Sequence, residues 1–297
     1  MIYYGRKEEA VMKNNIEKVI AAIDYIENHL SDKVDLELVA EAVHYSKYYL
    51  HRIFTKTVGL TVHDYVKRRQ LTEAAKLLVF SDKPIIEIAF IAGYESQQAF
   101  SDIFKLMYKK SPGQYRNDEE FYPLQLRYVL NKNPMVLDQK IDLEKEIQFG
   151  SMEDIPKWIE LVRLVVDGFP CLDEKQYVEQ LKDCIQKKQA LILKDKDIAI
   201  GIMGITIATG SIDFLGIHPQ YRKQGITQAF LKKAISLLIT SDEISVTTFR
   251  EGDKADTGYR NIFKNLGFAE AELLVEFGYP TQRFVLQKEN WKETANE

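Results

Sequence analysis

Cysteine is scarce in this chain, which has only two cysteines among 297 residues. Neither Cys171 nor Cys184 belongs to the closely spaced groups that bind metals. A secreted domain stapled by disulfides would need a richer cysteine pattern. We therefore expect two reduced thiols in a cytoplasmic protein and no metal site.

Long hydrophobic runs are also missing. The longest uncharged run covers residues 198–212 and is interrupted by glycine, threonine and serine. It falls short of the roughly 20 apolar residues that cross a bilayer. The first twelve residues carry four charges and no apolar core, so they do not resemble a secretory signal. We expect no membrane segment.

The composition excludes a disordered or fibrous protein, since 45% of the residues are hydrophobic and 28% are charged. The length suits two domains. The net charge of −4 hides an imbalance, because residues 44–116 carry +6 while residues 1–43 carry −4 and residues 117–297 carry −6. A basic stretch between acidic ones favours a local surface that contacts phosphates.

The first 116 residues show the apolar spacing of helices throughout. One pattern occurs twice, 50 residues apart: a short helix, a tight turn and a second helix that begins after Ser46 or Ser96. A helical segment over residues 62–79 joins the copies and would be about 27 Å long. Successive major-groove turns on one face of DNA lie about 34 Å apart. The pattern predicts two helix-turn-helix units that read adjacent grooves.

In such a unit the second helix enters the major groove and presents its N-terminal residues to the bases. Arg52 is able to bind guanine bidentately, and glutamine suits adenine. The residues expected to face inward are Leu50, Ile53 and Phe54 in the first copy, and Phe100, Ile103 and Phe104 in the second. The side chains expected to contact DNA are Lys47, Tyr48, Tyr49, His51 and Arg52 in the first copy, and Gln97, Gln98, Ser101, Asp102 and Lys105 in the second.

Short motifs run through this duplicated region. They are Leu50-x-Arg52-x-Phe54, Gly59-Leu60-Thr61, Ile85 through Gly93-Tyr94, Phe100-x-x-x-Phe104-Lys105 and Ser111-Pro112-Gly113-Gln114-Tyr115-Arg116. On these motifs, residues 13–117 resemble the AraC/XylS-type transcriptional regulators. The resemblance implies a sequence-specific regulator that binds double-stranded DNA through recognition helices over residues 46–57 and 96–107. Asp102 departs from the family's common arginine, so the second unit is expected either to bind weakly or to select a cytosine amino group.

The composition changes after Arg116. Residues 118–143 lack helical periodicity, and we interpret them as a linker with a candidate strand over 124–130. The segment is too apolar for a free tether, so we expect it to pack against one or both neighbouring domains. From residue 144 to residue 297, helices alternate with β-rich runs at residues 190–193, 198–207, 212–217, 244–248 and 284–286. This alternation predicts an α/β domain after the all-α double helix-turn-helix module.

Residues 212–227 provide a second functional signal. A predicted strand leads into a short basic loop, which enters an amphipathic helix. Backbone N–H groups at such a helix start form a cradle for phosphate. Arg222 and Lys223 add positive charge, and Gly225 allows the close approach of a pyrophosphate. The pattern predicts a phosphate-bearing ligand.

The same residues are similar to motif A of the GNAT-type N-acetyltransferases, and residues 261–268 resemble a later helix-to-strand motif of that family. The resemblance covers residues 144–287. It implies a mixed sheet that is splayed between two central strands, with acetyl-CoA or another acyl-CoA in the gap. The residues implied to bind this cofactor are Leu215, Ile217, Arg222, Lys223, Gln224, Gly225, Ile226 and Thr227.

Two positions depart from the GNAT pattern. Thr227 replaces a small residue, and Phe263 stands where many members have a tyrosine that protonates the leaving thiolate, which phenylalanine cannot do. Asp213 is the acidic residue close enough to serve as a general base and is therefore the candidate catalytic residue. The alternative, which we favour, is an exposed carboxylate on the strand without a catalytic role. One interpretation, which we favour, is a domain that senses acyl-CoA or a small-molecule effector. The alternatives are an enzyme that acetylates an amine substrate and a ligand-free dimerisation module, which would make the protein a homodimer.

Overall fold

The computed structural model of the chain describes residues 2–134, 141–165, 173–237, 239–276 and 278–291, with only the backbone for residues 2–10. The chain divides into two compact units. The described residues up to Pro134 belong to the first unit, and those from Ile141 onward belong to the second. Cys171 lies outside the described residues, whereas Cys184 is a free thiol.

The N-terminal unit is all-α, as predicted. Its helices are α1 (Ile2–Asn28), α2 (Leu36–Ala42), α3 (Lys47–Val58), α4 (Val62–Phe80), α5 (Ile85–Ile91), α6 (Gln97–Tyr108) and α7 (Pro112–Asn117). Ser46 and Ser96 accept backbone hydrogen bonds at the starts of α3 and α6, which confirms both predicted caps. Gly59 ends α3 with a φ of 81°, a conformation that favours glycine.

The two helix pairs α2–α3 and α5–α6 form the predicted units, and α4 joins them. The 19 residues of α4 correspond to a length of about 28 Å. The inward faces of both second helices are confirmed, since Leu50, Phe54, Phe100 and Phe104 are completely buried and Ile53 is buried. Ile103 is the exception, because it is only half-buried. Burial of these faces leaves the opposite faces of α3 and α6 to solvent.

The predicted strand over residues 124–130 is wrong, because residues 118–134, all of them described, contain no strand. Side chains of α4 take the place of a strand partner. The backbone N–H groups of Leu124 and Gln125 both donate to Thr72 Oγ1, at 3.1 and 3.0 Å. The N–H of Tyr128 donates to the Tyr65 hydroxyl at 3.2 Å. The expected packing is confirmed, since Leu124 and Tyr128 are buried against this unit.

The C-terminal unit contains a seven-stranded mixed sheet in the order β1-β2-β3-β4-β5-β7-β6. The β4–β5 pair is parallel and the others are antiparallel. Its elements are α8 (Leu143–Glu146), β1 (Gln148–Phe149), α9 (Ile155–Val165), α10 (Glu174–Gln186), β2 (Ala190–Asp195), β3 (Ile198–Thr206), β4 (Ser211–Ile217), α11 (Ile226–Leu237), β5 (Glu243–Phe249), α12 (Tyr259–Asn265), β6 (Ala269–Glu276) and β7 (Tyr279–Gln287). The two-domain fold class and the five predicted β-rich runs are therefore confirmed.

Helices cover both faces of this sheet. On one face α11 buries Phe230 and Leu231 against β3 and β4. On the other face α9 and α10 enclose Trp158, Val162 and Leu181. The parallel β4–β5 pair lies at the centre of the sheet, with α11 connecting its two strands. This connection positions the loop before α11 at the end of β4.

Candidate functional site

The first recognition helix presents the predicted DNA-contacting residues to solvent. Lys47, His51 and Arg52 are exposed, and 81% of Tyr48 is accessible. Lys47 forms a weak ion pair with Glu37 of α2, with Nζ 3.6 Å from the carboxylate. Because these side chains occupy the first two turns of α3, they are placed for contacts with bases and phosphates.

Tyr49 differs from its neighbours because α1 holds its hydroxyl. The hydroxyl donates to Asn15 Oδ1 at 2.6 Å and accepts from Lys18 Nζ at 3.2 Å. The Arg52 guanidinium lies 5.5 Å from the centroid of the Tyr49 ring, within the range of a cation–π contact. Tyr49 thus links α1 to Arg52. The α3 sequence alone gave no signal for this role.

The second recognition helix also exposes Gln97, Gln98, Asp102 and Lys105, while Ser101 is half-buried. Gln98 Nε2 donates to Asp102 Oδ1 at 2.8 Å, one helical turn away. One amide N–H of Gln98 is therefore already used, which leaves the second N–H and the amide oxygen for a contact with adenine. The predicted residues of α6 do lie on one surface.

A cleft of about 240 Å³ opens in the C-terminal unit where β4 and β5 separate. The two strands pair only at Ser211–Ser245 and Ile212–Val246. Beyond these pairs, Leu215 and Ile217 of β4 line the cleft. The loop before α11 forms one wall and α12 forms the opposite wall. The gap between two central strands that the GNAT resemblance implied is present.

The structure brings together seven of the eight residues predicted to bind the cofactor. The exception is Gln224, whose amide donates to the carbonyl of Gln220 at 3.2 Å. The predicted residues that line the cleft are Leu215, Ile217, Arg222, Lys223, Gly225, Ile226 and Thr227. They combine an apolar floor with a basic rim, which suits a ligand that has both an apolar and an anionic part.

The loop before α11 has the backbone geometry of an anion-binding concavity. Lys223 and Gly225 adopt φ values of 61° and 75°, on either side of Gln224 and just before Ile226 begins the helix. Such alternation directs successive N–H groups toward one point, and the helix dipole adds positive potential there. The Tyr221 hydroxyl donates to Asp195 Oδ2 at 2.5 Å, and both residues are buried. This bond anchors the loop to the end of β2.

Tyr259 lines the same cleft and was not predicted. Its hydroxyl accepts a hydrogen bond from Arg222 Nη2 at 3.0 Å, so the two walls of the cleft meet at this pair. Tyr259 lies four residues before Phe263, and both side chains line the cleft. The i, i+4 spacing on one helix face was a signal that the sequence offered. Phe263 itself is buried and has no polar group to contribute.

Asp213 is not brought into the cleft. The β3–β4 register pairs Gly204 with Phe214 and Ile205 with Ile212, so Asp213 is the extra residue of a β-bulge. Its exposed carboxylate accepts a hydrogen bond from the Thr206 hydroxyl at 2.7 Å. Burial and, next, the negative charge of Asp213 raise the pKa of the Cys184 thiol on α10. Asp213 therefore faces α10, away from the loop and α12.

The N-terminal unit matches known helix-turn-helix proteins. A helix-turn-helix domain family matches residues 39–118. The chain is 37% identical over 95 residues to the regulatory protein SoxS of Escherichia coli, and the match covers 32% of this chain and 89% of SoxS. The chain belongs to the AraC-type helix-turn-helix family. It is therefore a DNA-binding transcriptional regulator, and double-stranded DNA is its partner.

A second relative is the uncharacterized HTH-type transcriptional regulator YbfP of Bacillus subtilis. It is 40% identical over 115 residues, but the chain spans only 35% of YbfP's length and the match covers 39% of this chain. For the C-terminal unit, an acetyltransferase of the GNAT family from Bacillus cereus is similar, with 14% identity and a TM-score of 0.38. That match covers 48% of this chain and 95% of the solved one. Among the described residues, no helix is long and apolar enough to span a bilayer.

Proposed function

We propose that this AraC-type regulator binds an acyl-CoA, with acetyl-CoA the simplest candidate, in the cleft of its C-terminal unit, and that the bound ligand changes the affinity for operator DNA. The proposal rests on the cleft itself, because an anion-binding loop and an apolar channel meet there. We place the protein in the bacterial cytoplasm, where DNA and acyl-CoA are both present.

The residues of the cleft fit the parts of an acyl-CoA. The loop N–H groups, Arg222 and Lys223 would hold the pyrophosphate. A Cβ at Gly225 would meet no atom within 4 Å, so the space over the loop is open to a ligand. Past Ile212, no described residue of β5 pairs with β4. Backbone groups of β4 are therefore available to hydrogen-bond with the amides of the pantetheine arm. Leu215 and Ile217 supply the apolar contact.

Sensing is favoured over catalysis because the predicted general base does not line the cleft and Phe263 stands where many GNAT members have a proton-donating tyrosine. Asp213 faces α10, and Phe263 donates no proton. A second candidate function, acetyl transfer to an amine, is supported by the Tyr259 hydroxyl in the cleft. Thiol release from acetyl-CoA with a panel of amines distinguishes the two, since a sensor releases none. An enzyme that relies on Tyr259 would lose turnover in Tyr259→Phe.

Acetyl-CoA is expected to stabilise the chain against heat whether or not it reacts, because the cradle uses backbone donors. Ligand at about 100 times its dissociation constant adds ~2.7 kcal/mol to the free energy of unfolding. Gly225→Val should abolish the shift, because a β-branched residue does not adopt the φ of 75° at Gly225 without strain and would fill the loop's open side.

The matched control is Gly252→Val. Gly252 has a similar φ of 73° and open space around it, but it does not line the cleft. This variant should lose some stability and keep the acetyl-CoA shift. A native chain whose melting temperature does not move at millimolar acetyl-CoA would contradict the proposed ligand.

Coupling to DNA is tested by titrating acetyl-CoA with and without operator DNA. A ligand that regulates must bind the DNA-competent and the DNA-incompetent states with different affinities. Linkage then requires operator DNA to change the ligand's affinity by the same factor, typically about 5–150-fold. Equal affinities in both titrations would mean that the two units function independently, and the sensor interpretation would be dropped.

Arg52→Ala is expected to weaken binding to a specific site by about 1–3 kcal/mol if Arg52 reads a guanine. Lys105→Ala removes a phosphate contact, so it should weaken binding to all sequences similarly and lower the salt slope by about 1. Salt titrations on a selected duplex and a random duplex measure both effects. An equal loss on both duplexes for Arg52→Ala would exclude the base-reading role.

A further inference from the structure

A segment beyond the matched helix-turn-helix residues lies along the whole of α4. We call residues 121–130 the strap. The ring of Phe121 lies 5.8 Å from that of Phe80 at the end of α4. The ring of Tyr128 lies 5.6 Å from that of Tyr65 near the start of α4. The strap therefore runs antiparallel to the helix that joins the two DNA-binding units.

The first end of the strap is hydrogen-bonded to the second helix-turn-helix unit. The Tyr115 hydroxyl donates to the carbonyl of Tyr122 at 2.8 Å and accepts from the Tyr122 N–H at 2.9 Å. The Leu124 N–H also donates to the hydroxyl of Tyr108 at 3.1 Å. Tyr108 and Tyr115 are almost completely buried, so these bonds are shielded from water and fix the strap against α6 and α7.

The other end of the strap is bound to α1, a helix that packs against both α2 and α3 of the first helix-turn-helix unit. Arg127 Nη2 lies 2.6 Å from Asp24 Oδ1. The Tyr65 hydroxyl accepts from the Tyr128 N–H and donates to Glu27 Oε1 at 2.8 Å. The strap thus contacts the second unit and α4 directly, and it is connected to the first unit through α1.

A single helix between two units leaves them free to pivot where the chain enters and leaves it. A second connection, which is bonded to the second unit, to α4 and, through α1, to the first unit, removes that freedom. We infer that the strap fixes the separation and angle of the two recognition helices, and so determines which spacing between the two DNA elements the protein accepts. The spacing between half-sites follows from the geometry of the recognition helices. The strap is the part of the N-terminal unit that sets this geometry.

The test compares spacing discrimination in the full chain with the strap attached and released. Two duplexes serve as probes. The first is selected by the native chain from a random pool, and the second is the same duplex with one base pair inserted between the two major-groove sites that the recognition helices contact. Thr72→Val with Tyr115→Phe, which we call release, removes the two hydroxyls that bond the backbone of residues 122, 124 and 125. The bonds from Arg68 and Arg69 to the carbonyls of Leu124 and Gln125 remain. Neither residue is among those expected to contact DNA.

The native chain should bind the inserted duplex at least tenfold more weakly than the selected one. Release of the strap should reduce this ratio by about tenfold, the effect of losing a few buried hydrogen bonds. Thr72→Ser, which keeps the hydroxyl, should preserve the ratio. The matched control is Tyr94→Phe, because the Tyr94 hydroxyl is buried in the second unit and hydrogen-bonds to no described residue of the strap.

A strap that merely stabilises the fold gives a different result. Released variants would then melt earlier yet discriminate spacing as the native chain does, and the inference would be overturned. It would also be overturned if Tyr94→Phe lowered the ratio as much as the release. If the double variant does not fold, Tyr115→Phe alone, which removes one oxygen, is measured by the same ratio and is expected to lower it.

Discussion

Replacing Glu27 with alanine is expected to lower the free energy of unfolding of the N-terminal unit by about 3–5 kcal/mol. Arg69 donates from Nε and Nη2 to the two carboxylate oxygens of Glu27, both at 2.8 Å. Both side chains are only 8% exposed. Burial by itself would lower the pKa of Arg69. The hydrogen bonds and the negative charge of Glu27 outweigh this effect, so the pKa of Arg69 is raised. The guanidinium therefore stays charged, and the variant would bury it without its main partner.

Glu73→Ala is the matched control, because Glu73 also contacts Arg69, at 3.0 Å, but is 42% exposed. An exposed pair contributes about 1 kcal/mol or less. Denaturant unfolding followed by far-ultraviolet circular dichroism reports on the helices of both units, and tryptophan fluorescence reports separately on the C-terminal unit. Both tryptophans of the chain, Trp158 and Trp291, belong to the C-terminal unit, so their fluorescence should not change. Equal losses for the two variants would show that the buried pair is not what holds α1 to α4.

The helix-turn-helix module could be predicted because its signals are local. Asp35, Ser46 and Ser96 cap helices through bonds to residues two or three positions later, and Gly59 marks a helix end. The position of residues 121–130 could not be predicted in this way. Their alternating apolar residues favour a strand, but the groups that bond their backbone are hydroxyls on α4, α6 and α7 and the guanidinium groups of Arg68 and Arg69 on α4. These partners are up to 63 positions away in the sequence.

The same distinction applies to the two candidate sites. The loop at Arg222 to Thr227 is set by its own backbone, so its place in the cleft could be predicted from the sequence. Asp213 could not be located, because a bulge in the pairing of β3 with β4 decides which way it faces. Tyr49 was predicted as a DNA contact from its helix, but its hydroxyl partners lie on α1, more than thirty residues earlier.

Gly210→Ala is expected to destabilise the C-terminal unit by roughly 3–5 kcal/mol. Gly210 has a φ of 69°, and a Cβ there would lie 2.1 Å from the backbone oxygen of Glu243. The carbonyl of Gly210 accepts from the Ser245 N–H at 3.0 Å, next to the two residue pairs that join β4 to β5. The methyl group would push these strands apart at the point from which the cleft opens. Tryptophan fluorescence during unfolding measures this loss directly.

Gly252→Ala separates the clash from the backbone strain. Gly252 has a φ of 73°, and the Cβ of an alanine at this position would meet no atom within 4 Å. Its variant should therefore lose only the stability that the left-handed backbone conformation costs, about 1–2 kcal/mol. If the β4–β5 junction shapes the cleft, Gly210→Ala should also weaken acetyl-CoA binding, while Gly252→Ala should not. Equal destabilisation by the two variants would mean that β5 moves to accommodate the methyl group. In that case the junction would not be the rigid point that holds the two strands apart.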